Sequence, residues 1–452
     1  MTKPHSDVES IPYHNDSDKY FQCLRPFGRR VWLDSGRNDA NRGRYDILSA
    51  QPLKILNNPS VAHVEQEVAQ LKAPPPHSEL LESLPFIGGA LGYFNYEHDQ
   101  SRYLKNNRWP QEQLTDSLVG IFNWALIQDH QLKHTYLVFL PCCPEPHRQQ
   151  IRQAVSTSAQ VHTQGHASVF GTRDAFKVTG LTPDLRHADY QNGFEEIQRL
   201  IRAGDTYQVN YAQRFSGEFS GSADHAYLTL RKVLPSPYSG FIELGDDSVL
   251  SLSPERFIRV QDGHGTTQPI KGTCERSADP IEDEARANAL VNSEKNRAEN
   301  LMIVDLLRND FNRLCEPFTV KTPKLFALHS FPNVHHLIST VTGKLLDSTS
   351  PLQFLHTSFP GGSISGAPKK RAIEIIHALE AHPRNIYCGS LFYLSCHGRL
   401  DSNIAIRSLL IHKNRIYCWG GGGITSESKA KEEYDESCYK VQILLDTLKQ
   451  FS

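Results

Sequence analysis

The chain has little of what marks secretion, membrane insertion or metal capture by thiolates. Its nine cysteines (23, 142, 143, 274, 315, 388, 396, 418 and 438) form no C-x-x-C pair, their number is odd and their spacing irregular. That pattern argues against a zinc site or a disulfide framework and fits reduced thiols in a cytoplasmic protein. No uninterrupted apolar run approaches the roughly 20 residues of a membrane helix. The polar N-terminus, MTKPHSDVESIPYHNDSDKY, carries no apolar segment of a secretory signal. Basic runs stop at three residues and the formal charge is −2, so neither a nucleic acid nor a membrane is expected as partner. What remains is an ordinary soluble composition over 452 residues, enough for two or three domains or one large two-layer unit.

Residues 1–175 read as strands between Pro/Gly/Asn loops: 31–36, 44–50, 85–97, 119–130 and 134–141, the last two turning as a hairpin at Asp129 to Lys133. Leu33–Asp34–Ser35 and Arg44–Tyr45–Asp46 either line a small-molecule pocket or merely end strands. Residues 152–180, rich in Ser, Thr, Gly and His, read as a linker. Beyond Leu181 the texture changes. Tyr190, Phe194, Ile197 and Ile201 mark one face of a helix over 188–203, closed by Gly204. A strand over 207–215 follows, carrying Gln208 and Asn210.

Asp279–Pro280–Ile281–Glu282 opens a helix with proline at its first position. The next helix, over 294–309, is apolar on every side at 301–304 and 306–307, which predicts burial all round. A buried carboxylate must be paired or hold a cation. Asp305 has Arg308 three residues on; Glu299 has no basic residue three or four positions after it and is the better metal candidate. FPGGSISGAPKKRAIEIIHALE (359–380) is a Gly/Ser loop feeding a helix. Its backbone N–H groups suit an anion, although a plain turn explains them equally well; it lacks the Lys of a P-loop, so a carboxylate fits better than a nucleotide. Arg407 stands inside an apolar strand read as 403–411, where an arginine calls for an anion. In the last helix, over 429–450, Tyr434, Cys438, Val441, Leu445 and Leu448 form the buried stripe. Glu433, Glu436 and Lys440 share a neighbouring face just after the glycines 420–423. They are either a surface ladder or, with Glu299, an all-oxygen Mg²⁺ site, Lys440 and Arg407 then serving a second anionic group.

The stretch from Ser251 to Thr273 organises the rest. Strands over 249–260 and 268–273, joined by a polar turn at 261–267, would place Glu255 and Lys271 on paired strands. A carboxyl and an amine facing one cleft supply a proton donor and a nucleophile; a surface cross-strand pair is the plainer alternative.

The segments SPERF, PIKGT, RAENLMIVDLLRND, GGSISGAPKKRA, the RS of IAIRSLL, GGGI and EEYDESCYK occur in the order that resembles the chorismate-utilising enzymes, densely over 185–450. Residues 1–175 resemble the more variable N-terminal region of those enzymes. The resemblance implies an α/β fold of two large antiparallel sheets packed face to face with helices outside. It implies Lys271 as nucleophile and Glu255 as acid, with Glu299 and Glu436 as direct Mg²⁺ ligands and Glu433 behind them. Gln208, His336, Ser365, Gly366, Tyr393, Arg407, Gly421, Gly423 and Lys440 would contact chorismate. Ser35, Arg44, Asp46, Pro237, Tyr238 and Ser239 would form a tryptophan pocket. Members that activate water carry lysine where Gln208 stands, and members that form anthranilate carry alanine where Lys271 stands. Lysine at 271 therefore resembles the branch that aminates C4 of chorismate. Asn296 replaces the family's acidic residue three positions before the first metal ligand. No glutaminase motif of the GxCxG type is present, which implies a glutamine amidotransferase partner as the source of ammonia.

Overall fold

In the computed structural model, residues 6–36, 43–73, 78–106, 108–109, 114–160, 175–331 and 334–452 are described. Two large antiparallel sheets pack face to face, one of 12 strands and one of 10 among the described residues, with helices outside. Alternation along each strand decides which layer a side chain enters. In the larger sheet Val31, Ile47, Ile127 and Val249 point into the core between the sheets, while their neighbours Trp32, Leu48, Leu126 and Leu250 point outward under helices. There they meet the stripe of Val441, Leu444, Leu445 and Leu448 on the last helix, Ala430–Lys449. Strands from both sequence regions build both sheets: Val31–Asp34 pairs with Tyr238–Ile242 in one, and Gly89–Phe94 with Ser390–Ser395 in the other.

Several elements depart from the sequence-based expectations. The run over 119–130 divides into Ser117–Phe122 and Trp124–Asp129, which enter different sheets at Asn123. The linker expected over 152–180 begins inside the helix Glu145–Gln160 and ends in the strand Phe176–Pro183; residues 161–174 lie outside the described ones. The helix Glu294–Asn312 is not buried all round, since Leu301 is 45% exposed and Asp305 and Arg308 form an exposed ion pair at 3.2 Å. The apolar run over 403–411 breaks into Leu400–Asn403 and Ser408–His412, because Arg407 adopts a left-handed backbone at φ 50°.

The largest correction concerns the central stretch. Ser248–Ser253 belongs to the 12-stranded sheet and Arg256–Gln261 to the 10-stranded one, so Glu255 stands where the chain crosses between layers. Arg256–Gln261 turns at Asp262–Gly263, both at positive φ, and pairs with His264–Thr267. Lys271 lies on Ile270–Glu275, which pairs with Val334–Lys344 instead. Glu255 and Lys271 are therefore not cross-strand partners. The crossover and a separate strand bring them to one cleft.

Candidate active site

The residues around Lys271 come from five parts of the fold. Its half-buried amine donates to the Ser363 carbonyl at 3.5 Å, in the loop before Gly366. Burial lowers its pKa, and the nearby Lys440 cation lowers it further, while Glu255, Glu299 and Glu436 oppose the shift. Those charges identify the cleft: a nucleophile candidate, a second cation and three carboxylates act on one another. Glu255 is only 6% exposed and is pinned by its backbone. Its N–H donates to Ser253 Oγ at 3.1 Å, its carbonyl accepts from Ile404 N at 3.1 Å, and its Oε1 accepts from Ile270 N at 3.5 Å. Its carboxyl thus borders the residue before Lys271.

Glu299 reaches the cleft because the first turn of its helix lies against Gly272. A Cβ there would come within 3.2 Å of Asn296. Glu299 is half-buried, and its side chain makes no hydrogen bond or ion pair with the described residues. Across the cleft, the first turns of Ala430–Lys449 lie over the glycine-rich end of Arg415–Ile424. A Cβ at Gly422 would sit 2.8 Å from Glu433 Oε2 and 3.5 Å from Glu436 Oε1, so the glycine leaves a cradle into which both carboxylates project. Buried Glu433 accepts from Ser428 Oγ at 2.6 Å, and burial raises its pKa. Exposed Glu436 pairs with Lys440 Nζ at 2.5 Å, and Lys440 also donates to Gly421 O at 3.0 Å. Among the described residues no three His, Cys, Asp or Glu side chains converge closely enough to enclose an ion alone. Two carboxylates with water and ligand oxygens completing the shell are what Mg²⁺ accepts, and the cradle fits that donor set. Asn296, where an acid is expected by resemblance, is committed to Ser293 Oγ at 3.0 Å.

The wall facing these acids is the strand Gln208–Gly221. Gln208 is 1% exposed, both polar atoms of its side-chain amide lack partners among the described residues, and the amide lies over Gly423, where a Cβ would meet Nε2 at 2.5 Å. Asn210, buried two residues on, has an Oδ1 without a partner among the described residues, a role the sequence did not signal. Unpaired buried amides are costly unless a ligand satisfies them. Ser365 is fully buried; its Oγ donates to Gly361 O at 2.5 Å and its carbonyl accepts from Asn210 N at 2.8 Å. Gly366, at φ 141°, is packed so tightly on Gln208 that a Cβ would fall 2.1 Å from the Gln208 carbonyl. His336 sits opposite Thr273, its Nδ1 2.8 Å from Thr273 Oγ1. Half-buried Arg407 has no carboxylate partner among the described residues, and burial lowers its pKa.

Tyr393 does not join this group. Alternation along Ser390–Ser395 turns it to a separate cavity of about 1100 Å³, where Asp401, Arg256, Arg259 and Arg399 surround it. That cavity also receives Arg44, Pro237, Tyr238 and Ser239. Ser35 and Asp46 are buried and bonded to each other, Ser35 N and Oγ each 2.7 Å from Asp46 Oδ1. Burial raises the Asp46 pKa, but the His130 charge and hydrogen bond, with the Ser17 and Ser35 hydroxyls, outweigh it and hold it at about 2.

A cleft that brings together a half-buried amine, a buried acid, two carboxylates over a glycine and an arginine with no carboxylate partner among the described residues is a candidate active site. The chain belongs to the chorismate binding enzyme family, whose model matches residues 28–446. It is 39% identical to aminodeoxychorismate synthase component 1 of Klebsiella aerogenes, over 97% of this chain and 98% of that one. It is 32% identical to anthranilate synthase component 1 of Bacillus subtilis, over 81% and 74%. Among solved structures, anthranilate synthase component I from Streptococcus pneumoniae superposes with a TM-score of 0.75 at 26% identity, covering 98% of this chain and 93% of that one.

Proposed function

We propose that this chain converts chorismate and ammonia to 4-amino-4-deoxychorismate, the amination that leads to p-aminobenzoate and folate. The observation that carries the reading is Lys271: an amine held in the cleft, with its pKa lowered by burial and Lys440, beside the buried carboxyl of Glu255. The higher identity to an aminodeoxychorismate synthase component than to an anthranilate synthase component supports the same branch.

The amine bonds to C2 of the ring as both ring double bonds shift and the C4–O bond breaks. Glu255 gives its proton to the departing hydroxide, which leaves as water. Ammonia then bonds to C4, the double bonds shift back and the C2–N bond to Lys271 breaks. The proton shed by the new C4 ammonium returns to Glu255, and Lys271 is left as a neutral amine. A neutral amine is needed at the first step, and the lowered pKa supplies more of it. Arg407 and Lys440 would take substrate carboxylates, and the Gln208 amide, lacking a base, would admit ammonia without activating water. Glu299 and Glu436, with Glu433 behind, would hold Mg²⁺, which would supply positive charge to offset that of the substrate.

A glutamine amidotransferase is the proposed ammonia source, since the name component 1 borne by the relatives implies a second component. The separate cavity of about 1100 Å³ is the proposed tryptophan pocket, and the cytoplasm the proposed compartment.

The test is product identity. With chorismate, ammonium and Mg²⁺ the protein should yield aminodeoxychorismate by mass spectrometry. Lys271→Ala should lose that product and shift towards fluorescent anthranilate, because ammonia then reaches C2. Anthranilate from the unaltered protein, or undiminished amination by the variant, would overturn the reading.

A further inference from the structure

Among the described residues Arg384 is the largest fully buried charged side chain, and the proposed chemistry leaves it unused. Its side chain is 1% exposed, and its ion partner Glu380, four residues earlier at the C-terminal end of the helix Lys369–Leu379, lies at 2.6 Å. Nε donates to Glu380 Oε2 at 2.9 Å and Nη2 to Glu380 Oε1 at 2.6 Å. The remaining bonds leave the pair and run to cleft backbone. Nη1 donates to the Ile364 carbonyl, immediately before Ser365, and Nη2 to the Asn210 carbonyl, both at 2.8 Å. Glu380 Oε1 also accepts from Ala212 N at 2.9 Å. The guanidinium lies over the Tyr96 ring at 4.5 Å, and the Arg384 N–H donates to buried Glu97 at 2.8 Å.

Buried ion pairs are a poor source of net stability, because desolvation offsets most of the attraction. This one instead joins a loop with little regular structure to the strand Gln208–Gly221. The loop holds only the turn Gly362–Ile364 and the two-residue strand Gly366–Ala367, which pairs with Gln208 and Val209. Without the guanidinium, the Ile364 and Asn210 carbonyls would be buried and underserved, and the loop could slide along the strand.

We propose that Arg384, braced by Glu380, is a positioning residue for the reaction: it fixes the Ser363–Gly366 loop against Gln208–Ala212 and so sets the cleft that receives the substrate and the Lys271 amine. This rests on the function proposed above. The fork geometry is essential, since a lysine ammonium can keep the charge but cannot reach both carbonyls and both Glu380 oxygens.

The test compares Arg384→Lys with Glu380→Gln and with Phe354→Leu, a core change outside the cleft whose side chain is fully buried. Thermal midpoints, kcat and KM for chorismate amination, and the yield of the Lys271 adduct are measured on each. A misplacement of about 1 Å costs on the order of 100-fold in rate. Arg384→Lys, or Glu380→Gln should the lysine variant not fold, should therefore lose about 10- to 100-fold in kcat with a matching loss of adduct, while Phe354→Leu keeps kcat at an equal or larger drop in midpoint. Wild-type kcat and adduct in the folded Arg384 and Glu380 variants, or an equal loss in all three, would assign the pair to stability alone and overturn the proposal. Aminodeoxychorismate formation by the unaltered protein reports separately on the function, so the two can fail independently.

Discussion

Arg407→Gln separates an arginine kept for a ligand from one kept for the fold. Arg407 is half-buried, burial disfavours its charge, and no carboxylate among the described residues answers it. Its backbone sits at φ 50°, a strain glutamine shares, so the substitution changes the charge and little else. A charge-assisted hydrogen bond contributes about 1.5–3 kcal/mol when made, which at about 1.4 kcal/mol per decade is roughly 10- to 150-fold in affinity. KM for chorismate should rise by that factor, read by product formation at saturating ammonium. The ligand-free thermal midpoint should stay level or rise, because an uncompensated cation has been removed. Chorismate, which should raise the midpoint of the unaltered protein, should raise it much less in the variant. An unchanged KM, or a loss of ligand-free stability of the size seen when a buried pair is broken, about 3–5 kcal/mol, would refute the reasoning.

Two further outcomes follow from the same cleft. Lys440→Gln removes the cation that, after burial, does most to depress the Lys271 pKa. The limb on which adduct formation rises with pH should move to higher pH in that variant; an unmoved limb would show that Lys271 does not titrate in that step. Glu299→Gln keeps the shape of a half-buried, unpaired side chain and removes its charge. Calorimetric Mg²⁺ affinity should fall at least 10-fold with the thermal midpoint preserved, and full affinity would take Glu299 out of the cation site.

Side-chain identity was more legible than strand pairing. Individual strands were readable from apolar runs such as those around Trp32 and Leu250, whereas the sandwich they build was implied by the family resemblance and not by periodicity. The glycine run at 420–423 is where the chain is approached closely, Gly422 by Glu433 and Glu436. The reading of Glu255 and Lys271 as hairpin partners failed because periodicity reports which face a residue takes, not which strand lies beside it. Pro254 and Glu255 carry the chain between sheets, a crossing that looks like ordinary strand in one dimension. The helix Glu294–Asn312 misled for a related reason: apolar residues all round signal burial only where something covers every side, and Leu301 is left open. Tyr393 faces the other cavity, because which face of its strand looks onto the cleft is decided by packing that the sequence does not show. Arg384 and Glu380 gave no signal, since a helix-end Glu–Arg pair reads as surface until the fold closes over it.

The account stands on covalent attachment at one side chain. Chorismate given to the protein with Mg²⁺ but without ammonia, followed by acid quench and intact-mass and peptide analysis, measures that directly. The prediction is a species heavier by chorismate less one water, mapped to the peptide containing Lys271, which disappears when ammonium is supplied. Steady turnover to the aminated product with no adduct on that peptide, or an adduct on another residue, would contradict it.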